Sequence, residues 1–258
     1  MTRPDPTSRV HTIMQEYARM TELDPPLPSP RRYLWTDAFA VCNYLELYHR
    51  THDAAYRDLA VRLVDQVHHV LGRHRDDDPR KGWISGLREQ QGELHPTIGG
   101  LRIGKKMNER RSGEPFDERL EWDQDGQYYH YLTKWMHALN RVSRVTRDPV
   151  YVRWAVELAK TAHDRFTYVP AAGGPKRMVW KMSIDLSYPL VPSMGLHDPL
   201  DGLVTYCELQ MAVDSIPEPP VSLPALRDEI AEMRDICRGR NWLTDDPLGI
   251  GGLLFDAS

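Results

Sequence analysis

THDAAY (51–56) and TRDPVY (146–151) share the pattern T-x-D-x-x-Y, and each separates an apolar run from an amphipathic one. This repeat constrains the fold more than any total does, because it defines a unit: inner helix, short turn, outer helix. The outer half is clear. After Asp53, the residues Tyr56, Leu59, Ala60, Leu63, Val64, Val67, Val70 and Leu71 recur at helical spacing, with Arg57, Asp58, Arg62 and Asp65 on the wet face. After Pro149, the residues Tyr151, Trp154, Ala155, Leu158, Ala159, Ala162 and Phe166 repeat the scheme. There Asp148 reads as the N-cap and Pro149 as the first helical residue. The inner halves, TDAFAVCNYLELYHR, DGQYYHYLTKWMHALNRV and DGLVTYCELQMAV, are apolar on more than one side, as buried helices are. Such units cannot bury their inner faces alone and must pack side by side.

A helix with Val10, Ile13, Met14 and Tyr17 precedes these units, and an amphipathic stretch with Leu226, Ile230, Met233 and Cys237 follows Pro224. Strand signals are short, the best lying at residues 178–180. The expected organisation is therefore an N-terminal helix and Pro-rich linker over residues 1–30, then an all-α helical-hairpin domain over 31–258.

Four predicted buried helices start with acidic clusters: WTDAF (35–39), EWDQDGQ (121–127), HDPLDGL (197–203) and TDDPLGIGG (244–252). One Asp per helix start serves capping and the helix dipole. Asp123 with Asp125, Asp198 with Asp201, and Asp245 with Asp246 exceed that need. Trp35, Trp122, His197 and Trp242 lie beside them. Parallel inner helices would gather these starts at one mouth, with Asp37, Asp125 and Asp201 opening onto a shared cleft. Carboxylates mixed with aromatic rings suit a sugar, rings against its C–H faces and carboxylates on its hydroxyls or in proton transfer.

The totals narrow the function classes. At 41% hydrophobic and 27% charged residues the chain is globular. A net charge of −4 gives no electrostatic reason to expect nucleic acid or an anionic membrane. No apolar run is long enough for a membrane span, and MTRPDPTSRV lacks the apolar core of a signal peptide. Three isolated cysteines fit a reducing, cytoplasmic setting.

The alternating helices, the T-x-D-x-x-Y turns and the acidic, aromatic inner-helix starts resemble the six-hairpin glycosidase superfamily, the (α/α)6 toroids that include N-acylglucosamine 2-epimerases and unsaturated glucuronyl hydrolases. The resemblance covers most of residues 31–258. It implies an (α/α) toroid of inner and outer hairpins and a sugar cleft where the inner helices begin, with catalytic residues that vary between members. Six hairpins need twelve helices. About seven are visible here, plus the start of an eighth at DDPLGIGGLLFDAS. The expectation is thus an incomplete toroid, cut short at its C-terminal end, whose exposed inner face favours self-association.

Two long connections, residues 82–126 and 173–202, carry Trp, His, Lys and Arg into acidic helix starts. Long ordered loops of this kind often carry function. Arg102, Lys105, Lys106 and Lys181 are candidates to bind a substrate carboxylate or phosphate. Trp35, Asp37, Trp122, Tyr129, His130, Trp180 and His197 are candidates to shape the pocket, with Asp123, Asp125, Asp198 and Asp201 supplying acid and base. A carboxyl beside an aromatic ring should have a raised pKa. That points to Asp123 or Asp198 as the acid, and to Asp125 or Asp201 as the base or substrate holder.

Competing motifs fail. GGLRIGKK matches G-x-x-x-x-G-K but has Lys106 where a P-loop needs Ser or Thr. The His residues lack zinc-ligand spacing, and the paired Asp lack an EF-hand pattern, so neither metal nor cofactor is expected. The reading is a glycoside hydrolase acting on a small-molecule or oligosaccharide substrate. The alternatives are an epimerase or lyase of the same fold, a non-catalytic helical-repeat binding module, and, third, a terpenoid-type cyclase, whose Asp signatures DQDG and TDDPL match poorly.

Overall fold

The computed structural model describes residues 6–27, 30–216 and 223–257. Among them the chain is mostly helical. In order it runs α1 (Pro6–Met20), α2 (Leu34–Thr51), α3 (Ala54–Leu71), α4 (Glu89–Leu94), α5 (Glu118–Asp123), β1 (Gln127–Tyr128), α6 (Tyr129–Thr146), α7 (Pro149–Phe166), β2 (Thr167–Tyr168), β3 (Arg177–Met178), β4 (Lys181–Met182), β5 (Pro189–Val191), α8 (Asp198–Asp214), α9 (Arg227–Cys237) and α10 (Pro247–Asp256). Three hairpins, α2–α3, α6–α7 and α8–α9, are joined through their first helices: α6 packs between α2 and α8, and α10 lies against α8. No helix among the described residues is long and apolar enough to cross a membrane.

The repeated hexapeptide is a repeated turn. Thr51 and Thr146 each return their hydroxyl to the carbonyl four residues earlier, at 2.7 and 2.8 Å. His52 and Arg147 adopt the left-handed conformation, φ 57° and 59°, which ends the inner helix. Asp53 and Asp148 then cap the outer helix, accepting from the amides of Ala55 and Val150 at 3.0 and 2.9 Å. The pattern T-x-D encodes stop, turn and restart in three residues. Replacing Asp53 or Asp148, both exposed, with Ala is expected to destabilise the protein by about 1 kcal/mol each, the usual worth of a cap. Urea midpoints would check this, and unchanged midpoints in both variants would show that the turn is held by packing alone.

The core runs through all three hairpins. Val41, Tyr44 and Leu45 of α2, Leu63 and Val67 of α3, Trp135 and Leu139 of α6, Ala155 and Phe166 of α7, and Tyr206 and Leu209 of α8 are buried in one cluster. Met14 and Ala18 of α1 and Leu23 beyond it belong to the same cluster, so the N-terminal helix packs into the domain. Pro28 and Ser29 of the expected linker lie outside the described residues. The buried His68 accepts from the Trp135 indole at 3.2 Å, and burial lowers its pKa to about 3, so it serves the core as a neutral acceptor.

The two long connections fold onto each other. β4 pairs antiparallel with β1 and with β5, a small sheet that seats residues 180–182 beside the start of α6. The acidic stretch 121–127 is consequently not a helix start. It is divided between the end of α5, a short extended connection and β1, and α6 begins only at Tyr129.

Candidate functional site

The starts of α2, α6, α8 and α10 meet at one cavity of about 660 Å³, to which α3, α7 and α9 contribute no lining residue among those described. Its wall is aromatic. Trp35 and Phe39 come from α2, and Trp35 lies 4.9 Å from the ring of Tyr131 and 5.9 Å from that of His130, both on α6. Tyr128 stacks on His130 at 5.6 Å and meets Trp180 at 5.1 Å, and Trp180 in turn meets Trp122 at 6.1 Å. The small sheet is what brings Trp180 here: the Tyr129 amide donates to the Trp180 carbonyl at 3.0 Å.

The acids come from α8 and α10. Neither Asp198 nor Asp201 caps its helix, whose N-cap is His197 with no side-chain bond. Asp201 accepts from the Lys134 ammonium at 2.7 Å and from the Thr133 hydroxyl at 2.6 Å. Asp198 is 7% exposed, lies 3.7 Å from the His130 imidazole and has one oxygen with no hydrogen-bond partner. Burial, and after it the nearby Asp201 charge, push its pKa up to about 7. Burial lowers that of His130 to about 4, so this imidazole is neutral near pH 7. Three residues apart on one helix, Asp198 and Asp201 therefore differ sharply in surroundings: one is held by a cation and a hydroxyl, the other is desolvated.

Lys134 and Asp256 are two charged lining residues that lie outside both the site candidates and the acidic clusters read from the sequence. Lys134 lies one turn after His130 on α6. Asp256, at the far end of α10, approaches Lys134 at 3.4 Å. Burial first, then Asp201, raise its pKa to about 7. α10 thus reaches across the row, since Phe255 also meets Phe39 of α2 at 5.9 Å and His137 of α6 at 4.9 Å. Nothing in GGLLFDAS alone signals that reach.

Of the sequence candidates, Trp35, Trp122, His130, Trp180, His197, Asp198 and Asp201 line the cavity, and the others do not. Asp37 is buried between the Tyr17 hydroxyl, Arg32 at 3.6 Å and the Tyr33 amide at 2.9 Å, tying α1 to the start of α2. Asp125 is fully buried and Arg102 nearly so, paired with each other at 2.6 Å. Asp123 is exposed at the end of α5. Tyr129 turns the other way, its hydroxyl on Tyr206 at 2.9 Å and its ring against Phe166. Lys181 is buried on Glu121 at 2.8 Å, and Lys105 lies over the Tyr33 ring, behind the wall. The GGLRIGKK loop offers no phosphate cradle: the Gly104 amide is bound to Asp125 at 3.0 Å and no helix starts directly after Lys105.

Among the described residues no group of three or more His, Cys, Asp or Glu is arranged to hold a metal ion. Compared with models of protein families, with curated proteins and with solved structures, the chain matches none.

Proposed function

We propose that this chain is a carbohydrate-active enzyme built on (α/α) hairpins of the toroid type, and that it hydrolyses a glycosidic bond in the cavity where α2, α6, α8 and α10 begin. The observation that carries the reading is the unlike pair Asp198 and Asp201 inside an aromatic cavity. Sugars need ring faces for their C–H surfaces and polar groups for their hydroxyls, and Trp35, Trp180 and Tyr128 offer the first beside the carboxyls that offer the second.

The chemistry follows from the environments. A carboxyl with a pKa near 7 keeps its proton in about half of the molecules at neutral pH, and in that form can give it to a glycosidic oxygen as the bond to the anomeric carbon breaks. The Asp201–Asp256 pair, sharing Lys134, keeps negative charge beside the carbon that becomes positive. A water oxygen then bonds to that carbon, and its proton passes to a carboxylate of this pair. Exchange with solvent restores both acids.

Release of reducing ends from a panel of oligosaccharides and aryl glycosides, with sugar binding followed by NMR saturation transfer, tests the reading. Trp180→Ala should weaken binding by about tenfold, ~1.4 kcal/mol, for a lost ring face. Binding without turnover would reduce the protein to a sugar-binding module, and neither binding nor turnover would overturn the proposal.

A further inference from the structure

We infer that the cavity takes uncharged sugar units and rejects acidic ones, uronates and sugar phosphates alike. This rests on the carbohydrate reading and assigns its substrate class. The described lining residues include four carboxyls, Asp198, Asp201, Asp246 and Asp256, and one Lys or Arg, Lys134. That ammonium is already engaged: it lies 2.7 Å from Asp201, 3.4 Å from Asp256 and 4.0 Å above the Phe255 ring, with its side chain 5% exposed. Recognition of a carboxylate or phosphate needs a cation free to turn toward it. Of the four cations expected to do this, Arg102 and Lys181 are bound to Asp125 and Glu121 inside the protein, and Lys105 and Lys106 do not line the cavity. His130 is held neutral by burial. An anion would enter a site where carboxyls outnumber cations, a like-charge approach that interfaces use to reject ligands.

A second observation points the same way. The Tyr128 hydroxyl and one oxygen each of Asp198 and Asp256 have no hydrogen-bond partner in the protein, although all three side chains are nine-tenths or more buried. Carboxylate oxygens accept. A sugar hydroxyl donates as well as accepts and suits such neighbours, whereas a ligand carboxylate brings acceptors only.

The test compares binding within matched pairs, so that the identity of the sugar drops out: methyl glucoside with methyl glucuronide, methyl galactoside with methyl galacturonide, and methyl mannoside with methyl mannuronide, each at pH 5.5 and pH 8. In the pair that binds best, the uronate is expected to bind at least tenfold more weakly at pH 8. The gap should narrow at pH 5.5, where Asp198 and Asp256 are protonated. A uronate binding as well as its neutral partner at pH 8, or a gap independent of pH, would overturn the inference and leave the carbohydrate reading standing. If no member of any pair bound, the carbohydrate reading itself would fall.

Discussion

Replacing Asp198 with Asn is expected to lower glycoside turnover by about 10²–10⁴-fold, the usual contribution of a general acid, and to stabilise the protein at pH 8 while leaving it nearly unchanged at pH 4. The two effects share one cause. Burial and the Asp201 charge raise the Asp198 pKa from 3.8 to about 7. Between those values the folded chain keeps a proton that the unfolded chain has released, so through this group stability falls as pH rises from about 4 to about 7. Above pH 7 the folded protein carries a buried charge with one oxygen unpartnered. Asn never ionises, so the variant escapes that loss, a difference on the order of 2–4 kcal/mol at pH 8. The buried His68 and His130, whose lowered pKa values favour the folded state as pH rises, are present in both proteins and largely cancel in the comparison. Urea unfolding at pH 4, 6 and 8 measures the difference. A gap independent of pH, or turnover reduced less than tenfold, would remove Asp198 from the role.

The helices were legible because their signals are local. Periodicity marks α3 and α7, all-round apolarity marks α2, α6 and α8, and T-x-D-x-x-Y marks the turn between the members of a hairpin. Asp198 and Asp201 were legible for a related reason: two acids in one helix start exceed what capping needs, and neither caps α8. Asp125 looked the same in sequence but differs in structure. It precedes β1 and not a helix, and the Arg102 that neutralises it arrives from a loop 23 residues earlier. Asp37 fails similarly, because Tyr17 reaches it from another helix. Short-range pattern identifies which residues share a helix end. It carries no information about which of them a distant loop will bury, and the small sheet that fixes Trp180 is assembled from two such loops.

Removing either member of the Arg102–Asp125 pair should cost about 3–5 kcal/mol, as expected when one partner of a buried ion pair is lost. The arrangement is dense. Arg102 donates to Asp125 at 2.6 Å and to the carbonyls of Arg73 and Val70 at 2.7 and 2.6 Å, closing the C-terminal end of α3. Asp125 also accepts from the amides of Gly104 and Gly126 at 3.0 and 3.1 Å and lies 3.4 Å from Arg75. Asp125→Asn keeps the shape but turns a donor or a weaker acceptor toward two guanidinium groups. Arg102→Ala takes the nearest cation from a buried carboxylate and removes the guanidinium donor from two carbonyls. In the double variant Arg102→Met with Asp125→Leu the mutual penalty disappears, so its loss should fall short of the summed losses of Arg102→Met and Asp125→Leu made singly by at least about 1 kcal/mol, a coupling expected of groups in contact. The amides of Gly104 and Gly126 and the two carbonyls remain orphaned, so the double variant still unfolds more easily than the wild type. Urea unfolding of the wild type and these variants separates structure from chemistry. If Asp125→Asn kept its unfolding midpoint and lost turnover, Asp125 would belong to the reaction, as its place in EWDQDG first suggested. Loss of stability with turnover retained in the folded fraction makes it the anchor of the loop behind the cavity wall.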